Sequence, residues 1–181
     1  SDIAFDKATL FQACEYCGAA GKGAHAVGAA FSPLTAAKPF AAVYAPDPDA
    51  DAEHAADYDA AIQAADGLDL VILGLGERGH VAFNEPGAGF AEKTHIAKLA
   101  EVTREAIAAD FGALAQTPEH GITIGIHTIL GAKKILLVGF GARCAKAAAA
   151  TLTGRPETFI PASFLQLHTD VEVYLDEAAA A

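Results

Sequence analysis

The residues best suited to chemistry lie in segment 74–87, which reads GLGERGHVAFNEPG. Its first six residues include three glycines, which let the backbone approach a ligand and leave N–H groups free to bind it. His80, Asn84 and Glu85 follow, and such side chains exchange protons or hydrogen bonds with a substrate. The pattern predicts an acid/base site. The alternative interpretation is a structural turn that carries a surface histidine.

A second pattern is the pair Cys14 and Cys17, whose spacing also occurs in zinc and redox sites. A structural zinc ion needs four ligands, and His25 would supply only a third. We therefore expect no metal and no cofactor.

A third pattern, Gly139 and Gly141 after an apolar segment, resembles part of a dinucleotide-binding turn. The third glycine of that turn is replaced by Cys144. The pattern therefore indicates a generic turn that faces a phosphate rather than a nucleotide site.

Apolar, β-branched segments predict the strands that position these loops, at residues 40–44, 68–75, 134–140 and 171–175. Their near-continuous apolarity is typical of parallel strands that are buried on both faces. Helical spacing predicts helices between them, at residues 51–66, 99–111, 117–130 and 142–152. Alternating strands and helices predict an α/β fold with a mostly parallel sheet. Because ligands bind beyond the carboxyl ends of such strands, we expect the site at residues 74–80 and 139–143.

Composition narrows the class of protein. The chain has 181 residues, 52% of them hydrophobic, which suffices for one domain with a core. A net charge of −11 argues against nucleic-acid binding and against a polybasic membrane surface. No apolar segment reaches the ~18 residues of a membrane span. With no signal-peptide pattern and an odd number of cysteines, we expect a cytoplasmic location.

Segment 68–87 resembles the signature of glucosamine-6-phosphate deaminases, which reads G-x-G-x-D-G-H-[IV]-[AG]-F-N-E-P. Four further segments resemble that family in the family's own order: FQACEYCG, LAEVTREA, GITIGIHTILGAKKILLVGFG and PASFLQLHTDVEVYLDEAA. The resemblance implies a single, three-layer, Rossmann-like domain over residues 1–181. Because the family begins with a further strand and a phosphate-binding loop, we expect this chain to lack both.

The resemblance also implies a reaction, the conversion of glucosamine 6-phosphate into fructose 6-phosphate and ammonia without a cofactor. In the family the loop histidine opens the sugar ring and a nearby glutamate orients it, which assigns these roles to His80 and Glu85. Cys14 and Arg78 stand where the family has two catalytic aspartates. The thiol is a weak base at neutral pH, and the positive charge of Arg78 is expected to lower the pKa of His80.

Substrate contacts follow from the same resemblance. Gly76 and Gly79 are the expected backbone contacts of a sugar phosphate. The family's phosphate-binding Arg and Lys correspond to Ala109 and Cys144, so Arg143 and Lys146, which flank the latter, are the expected replacements. The expected partner is a small sugar phosphate. A homo-oligomer is possible, because the family includes monomers and hexamers.

Two alternatives remain open from the sequence. One is a non-catalytic homologue that binds a sugar phosphate or serves as an assembly subunit, which the changes at Cys14 and Arg78 favour. The other is a hydrolase of the 6-phosphogluconolactonase type, in which a histidine activates water. The FNEP sequence argues against the second, because the loop of the lactonases continues differently after the shared Gly-His.

Overall fold

We describe a computed structural model of the chain, which covers residues 4–18 and 26–181. His25, considered above as a zinc ligand, lies outside these residues. The described part has eight strands: β1 (Thr9–Phe11), β2 (Cys14–Tyr16), β3 (Ala42–Tyr44), β4 (Leu70–Gly74), β5 (His95–Lys98), β6 (His120–Thr123), β7 (Lys134–Gly139) and β8 (Val171–Leu175). Its α-helices are α1 (Ala26–Ala37), α2 (Asp57–Ala64), α3 (Glu101–Ile107), α4 (Ile126–Leu130) and α5 (Ala145–Thr153).

The strands form three small sheets. β4, β7 and β8 make a parallel sheet in the order β4-β7-β8, and β1 pairs in parallel with β3. β6 lies between β2 and β5 and is antiparallel to both. All four predicted strands are present as β3, β4, β7 and β8. The predicted α/β fold with mostly parallel strands is therefore confirmed.

One face of the β4-β7-β8 sheet forms the main core. Leu73 and Leu137 point into it and are 2% and 1% exposed. Helices α2, α4 and α5 cover this face with apolar side chains that include Ile62, Ile129 and Ala148. Helices α2, α3 and α5 overlap three of the four predicted helical segments, where apolar residues recur at helical spacing.

The opposite face of this sheet differs from the prediction. Ile72 is 63% exposed and Tyr174 is 53% exposed. Burial on both faces is therefore wrong for the part of the chain that the structure describes. The reason is that α2, α4 and α5 all contribute to the same cluster, on the face of Leu73.

The helix predicted over residues 117–130 is also wrong in its first half. Residues 120–123 form β6, and only Ile126–Leu130 is helical. Ile122 and Thr123 are β-branched and almost fully buried between β2 and β5. Such residues suit a central strand, where both neighbours satisfy the backbone.

None of the helices within residues 4–18 and 26–181 is long and apolar enough to cross a membrane. Parallel pairing of β4 with β7 places their carboxyl ends together. The loops that follow Gly74 and Gly139 therefore lie at the same edge of the sheet, which is where the sequence places the site.

Candidate active site

The loop after β4 is a tight turn closed by its own backbone. The Gly76 N–H donates to the His80 carbonyl oxygen at 2.9 Å, and the Gly79 N–H donates to the Gly76 carbonyl oxygen at 2.9 Å. Gly79 has a φ of +75°, which favours glycine, and a Cβ there would lie 2.8 Å from Cγ2 of Ile160. These contacts reverse the chain direction directly after β4 and place His80 at the end of the turn.

The absence of a side chain at Gly76 leaves room for the His80 ring. A Cβ on Gly76 would lie 2.1 Å from Cε1 and 2.4 Å from Nδ1 of His80, so the ring rests directly on the glycine backbone. The family resemblance predicted that Gly76 and Gly79 contact the substrate through their backbone. In the structure both residues shape the turn that positions the histidine.

The structure brings His80 and Glu85 together. Nδ1 of His80 lies 3.9 Å from Oε2 of Glu85, and the two side chains are 22% and 11% exposed. Both atoms are buried and have no hydrogen-bond partner in the described structure. The other carboxylate oxygen accepts from the Thr103 hydroxyl at 2.6 Å and from the Ala100 N–H at 3.4 Å. Glu85 is thus held from one side and directs its free oxygen towards the imidazole.

The surroundings of His80 favour its neutral form. Burial lowers the pKa of His80 below its usual value, and the charge of Arg78 lowers it further, whereas Glu85 and Glu77 act in the opposite direction. The effect of Arg78 has the sign expected from the sequence. A neutral imidazole beside a carboxylate accepts a proton, and the carboxylate then stabilises the resulting cation.

His80 lines a cavity of about 320 Å³ at the ends of β4 and β7. One wall is apolar and includes Val102 and Ile107 from α3, while Phe140 follows β7. The charged lining residues are Glu77, Arg78 and Arg143. The Arg143 Nε–H donates to Oε2 of Glu77 at 2.7 Å across the two loops.

Lys146, one of the two residues expected to bind phosphate, is not among the side chains that line this cavity. It lies on α5 and is exposed. Cys144, at the corresponding family position, is buried, and its thiol donates to the Leu75 carbonyl oxygen at 3.2 Å. The structure therefore brings Arg143 rather than Lys146 to the cavity.

Cys14 is apart from this cavity. It is 8% exposed and belongs to an apolar cluster with Tyr16, Phe83, Ala97 and Leu99. Burial and the adjacent Glu15 carboxylate raise the pKa of the Cys14 thiol to about 12. At neutral pH this thiol is protonated, so it offers almost no thiolate for proton abstraction.

Glu15 has a structural role that the sequence did not suggest. It is fully buried, and its oxygens accept the N–H groups of Tyr16 at 2.8 Å and of Val27 and Gly28 at 3.3 Å each. The Gln12 side chain donates to it at 2.9 Å. Because Val27 and Gly28 lie in the first turn of α1, Glu15 caps that helix and is not free to turn towards a substrate.

Asn84 is also engaged within the fold. Its side-chain amide donates to the carbonyl oxygens of Val81 at 3.0 Å and Ile124 at 2.9 Å, and it is fully buried. Among residues 4–18 and 26–181, no three His, Cys, Asp or Glu side chains are grouped to hold a metal ion. Cys14 and Cys17 are free thiols in the structure.

Sequence reasoning did not single out Glu77 or Thr103. Each acts through a partner that is distant in sequence: Glu77 through Arg143 and Thr103 through Glu85. The only available signal was position, because Glu77 lies in the glycine-rich loop and Thr103 lies in the family-like segment LAEVTREA.

Comparison with known proteins identifies relatives of the chain. Residues 2–174 match the family model described as glucosamine-6-phosphate isomerases/6-phosphogluconolactonase. The glucosamine-6-phosphate deaminase of Exiguobacterium sibiricum is 50% identical over 114 residues, 63% of this chain and 45% of that protein. That of Pseudarthrobacter chlorophenolicus is 46% identical over 123 residues, 68% of this chain and 48% of that protein. The chain thus spans about half the length of the curated relatives it matches.

Solved structures show the same fold. A structure described as a monomeric glucosamine-6-phosphate deaminase has a TM-score of 0.87 and 31% identity, covering 99% of this chain and 76% of its own. The 6-phosphogluconolactonase of Thermotoga maritima has a TM-score of 0.66 and 18% identity, covering 97% of this chain and 75% of its own. The second likeness shows the fold alone.

Proposed function

Since the chain belongs to the glucosamine-6-phosphate isomerase/6-phosphogluconolactonase family, we propose that it is a deaminase/isomerase of amino-sugar phosphates. The proposed reaction converts glucosamine 6-phosphate and water into fructose 6-phosphate and ammonia. One observation carries the proposal: Nδ1 of His80 and the free carboxylate oxygen of Glu85 face each other, 3.9 Å apart, beside a cavity that His80 lines.

His80 would open the sugar ring. A neutral imidazole removes the proton of the anomeric hydroxyl and returns a proton to the ring oxygen, which breaks the ring C–O bond and leaves the aldehyde. Glu85 would stabilise the imidazolium that exists between these two transfers. Gly76 and Gly79 support this role through the turn that positions the ring.

The second step moves the proton on C2 to C1, which leaves an imine at C2. Water then adds to C2 and the C2–N bond breaks, which forms the ketone and releases ammonia. We assign the C2 proton to Cys14 on the family resemblance alone. Burial raises the pKa of this thiol to about 12, so little of the required thiolate is present at neutral pH. We therefore propose an enzyme with weak activity that increases with pH.

The raised pKa of Cys14 also supports the second candidate, a homologue that binds a sugar phosphate without converting it. Cys14 is protonated, and Glu15 beside it is held by α1, so no carboxylate at this position replaces the thiol. A lactonase is the remaining alternative. It would need only His80 as the base for water, and the FNEP segment argues against it.

Two further proposals concern the location of the protein and its oligomeric state. We propose a cytoplasmic protein, which the free thiols of Cys14, Cys17 and Cys144 support. The structural relative at 31% identity is described as monomeric, so we expect a monomer rather than a homo-oligomer. Light scattering on the 181-residue chain measures this directly.

Ammonia release from glucosamine 6-phosphate tests the proposal, with His80→Ala as the blank. We expect a rate above that blank that increases between pH 7 and pH 9. A rate equal to the blank, together with thermal stabilisation by the sugar phosphate, would leave the binding homologue. Hydrolysis of 6-phosphogluconolactone without ammonia release would instead support the lactonase.

Replacing Cys14 by aspartate tests its assignment. An aspartate has a reference pKa of about 3.9, far below that of a thiol. Even with the upward effect of burial and Glu15 it supplies much more of the charged base at neutral pH, so Cys14→Asp is expected to raise ammonia release at least tenfold. Cys17→Asp is the matched control, because that residue is nearby and has no assigned role. Equal rates in both variants would remove Cys14 from the mechanism.

A further inference from the structure

Two cavities of the described structure carry opposite charge. The larger, of about 520 Å³, is lined by Asp47, Asp49, Asp51 and Asp57 together with His54. The His80 cavity is lined by two guanidinium groups and one carboxylate. In a chain with a net charge of −11, this cavity is a local cationic region. An anionic ligand is therefore attracted to the His80 cavity and repelled by the aspartate-lined one.

Arg143 is the cationic side chain with a defined position at that cavity. Its Nε–H donates to Glu77 at 2.7 Å, which leaves both terminal Nη groups without a protein partner among the described residues. The side chain is 76% exposed, so these groups are accessible. Pairing with Arg143 lowers the pKa of Glu77, so the carboxylate stays ionised and keeps holding the guanidinium at neutral pH.

We propose that Arg143, positioned by Glu77, binds the phosphoryl group of the sugar phosphate at the mouth of the His80 cavity. The inference rests on the proposed function and names the residue that recognises the phosphate at that site. A guanidinium has five N–H donors in a planar fork, and the four on its Nη atoms match two phosphate oxygens. Glu77 is a positioning residue, because it acts on the ligand only through Arg143.

The position of Arg143 also suits the sugar. His80, Glu77 and Arg143 line one cavity, together with Phe140 and side chains of α3. A sugar phosphate has an anionic end and an end that exchanges protons. Binding the anionic end at Arg143 leaves the other end of the ligand for His80.

Binding is tested with fructose 6-phosphate, fructose and inorganic phosphate, by calorimetry on the 181-residue chain. Arg143→Met is expected to weaken fructose 6-phosphate binding at least tenfold and to leave fructose unchanged. Arg143→Lys keeps the charge but not the fork, so an intermediate loss is expected. Arg155→Met, which removes an exposed arginine elsewhere, is the matched control and is expected to change affinity less than twofold.

Glu77→Gln separates positioning from simple repulsion. If Glu77 holds the guanidinium in place, the variant binds fructose 6-phosphate more weakly although a negative charge has been removed. Tighter binding would mean that Glu77 only repels the anion, and would overturn its positioning role.

Lys146→Met measures the competing assignment from the sequence. A tenfold loss of fructose 6-phosphate affinity for Lys146→Met with no loss for Arg143→Met would overturn the proposal.

Ammonia release is measured separately from binding. Binding through Arg143 without ammonia release would retain this inference and refute the deaminase, whereas ammonia release with an unchanged KM in Arg143→Met would do the reverse.

Discussion

Nδ1 of His80 and Oε2 of Glu85 face each other at 3.9 Å, and neither atom has a hydrogen-bond partner within the described residues. The gap is longer than a hydrogen bond, while both atoms are buried. Such orphaned polar atoms are costly in a protein interior and are common where a ligand or proton completes the arrangement. The pair is therefore poised to share a proton when the imidazole becomes charged.

Glu85→Gln tests this relationship. The Glu85 charge raises the pKa of His80, so its removal is expected to lower that pKa further. The imidazolium also loses its counterion, so we expect ammonia release at pH 9 to fall about 100-fold. NMR titration of the His80 Cε1 proton gives the first quantity, and rates of ammonia release at pH 9 give the second.

Glu92→Gln is the control for that variant. Glu92 lies 3.4 Å from Nε2 of another histidine, His95, and is absent from the lining of the His80 cavity. An equal loss in both variants would show that the effect does not arise from the His80–Glu85 pair.

Arg78→Gln is expected to act in the opposite direction. The positive charge of Arg78 lowers the pKa of His80, so its removal raises that pKa. Titration of the His80 Cε1 proton by NMR, assigned with His80→Gln, measures the change. An unchanged or lower value would contradict the assigned electrostatics, and Arg155→Gln should leave the titration as it is.

Gly76→Ala tests how the histidine is positioned. The added methyl group would lie 2.1 Å from the His80 ring, so the ring must leave its place. We expect ammonia release to fall at least tenfold. Gly74→Ala is the matched control, because a Cβ at Gly74 has no atom within 4 Å. Similar activity in the two variants would refute the positioning role of Gly76.

Glu15→Gln tests the helix cap. The variant keeps the size of the side chain but removes the charge that accepts N–H groups at the start of α1, which is expected to cost about 2 kcal/mol in the free energy of unfolding. Urea denaturation measures this change in the free energy of unfolding. Glu101→Gln, in the exposed first turn of α3, should change stability by less than about 0.5 kcal/mol. Equal effects would show that Glu15 is not a cap.

Local pattern was sufficient for much of the fold. The apolar, β-branched segments at residues 68–75, 134–140 and 171–175 predicted β4, β7 and β8, because strand preference depends on the residues of the strand itself. The same reasoning failed for β6. Its residues also fit a helical spacing, and only pairing with β2 and β5 decides between the two. Helix α1 had no prediction, and its cap is supplied by Glu15 from β2.

The candidate site, like the fold, was predicted only in part from the sequence. The sequence by itself determined the glycine-rich loop with His80 and Glu85, because the residues that form this turn are consecutive. Only the tertiary structure decided that Glu77 pairs with Arg143, 66 residues away, and that Cys14 is buried with its pKa raised to about 12. Burial and ion pairing depend on which distant segments come together, and that is set by the packing of the whole sheet rather than by the spacing of neighbouring residues.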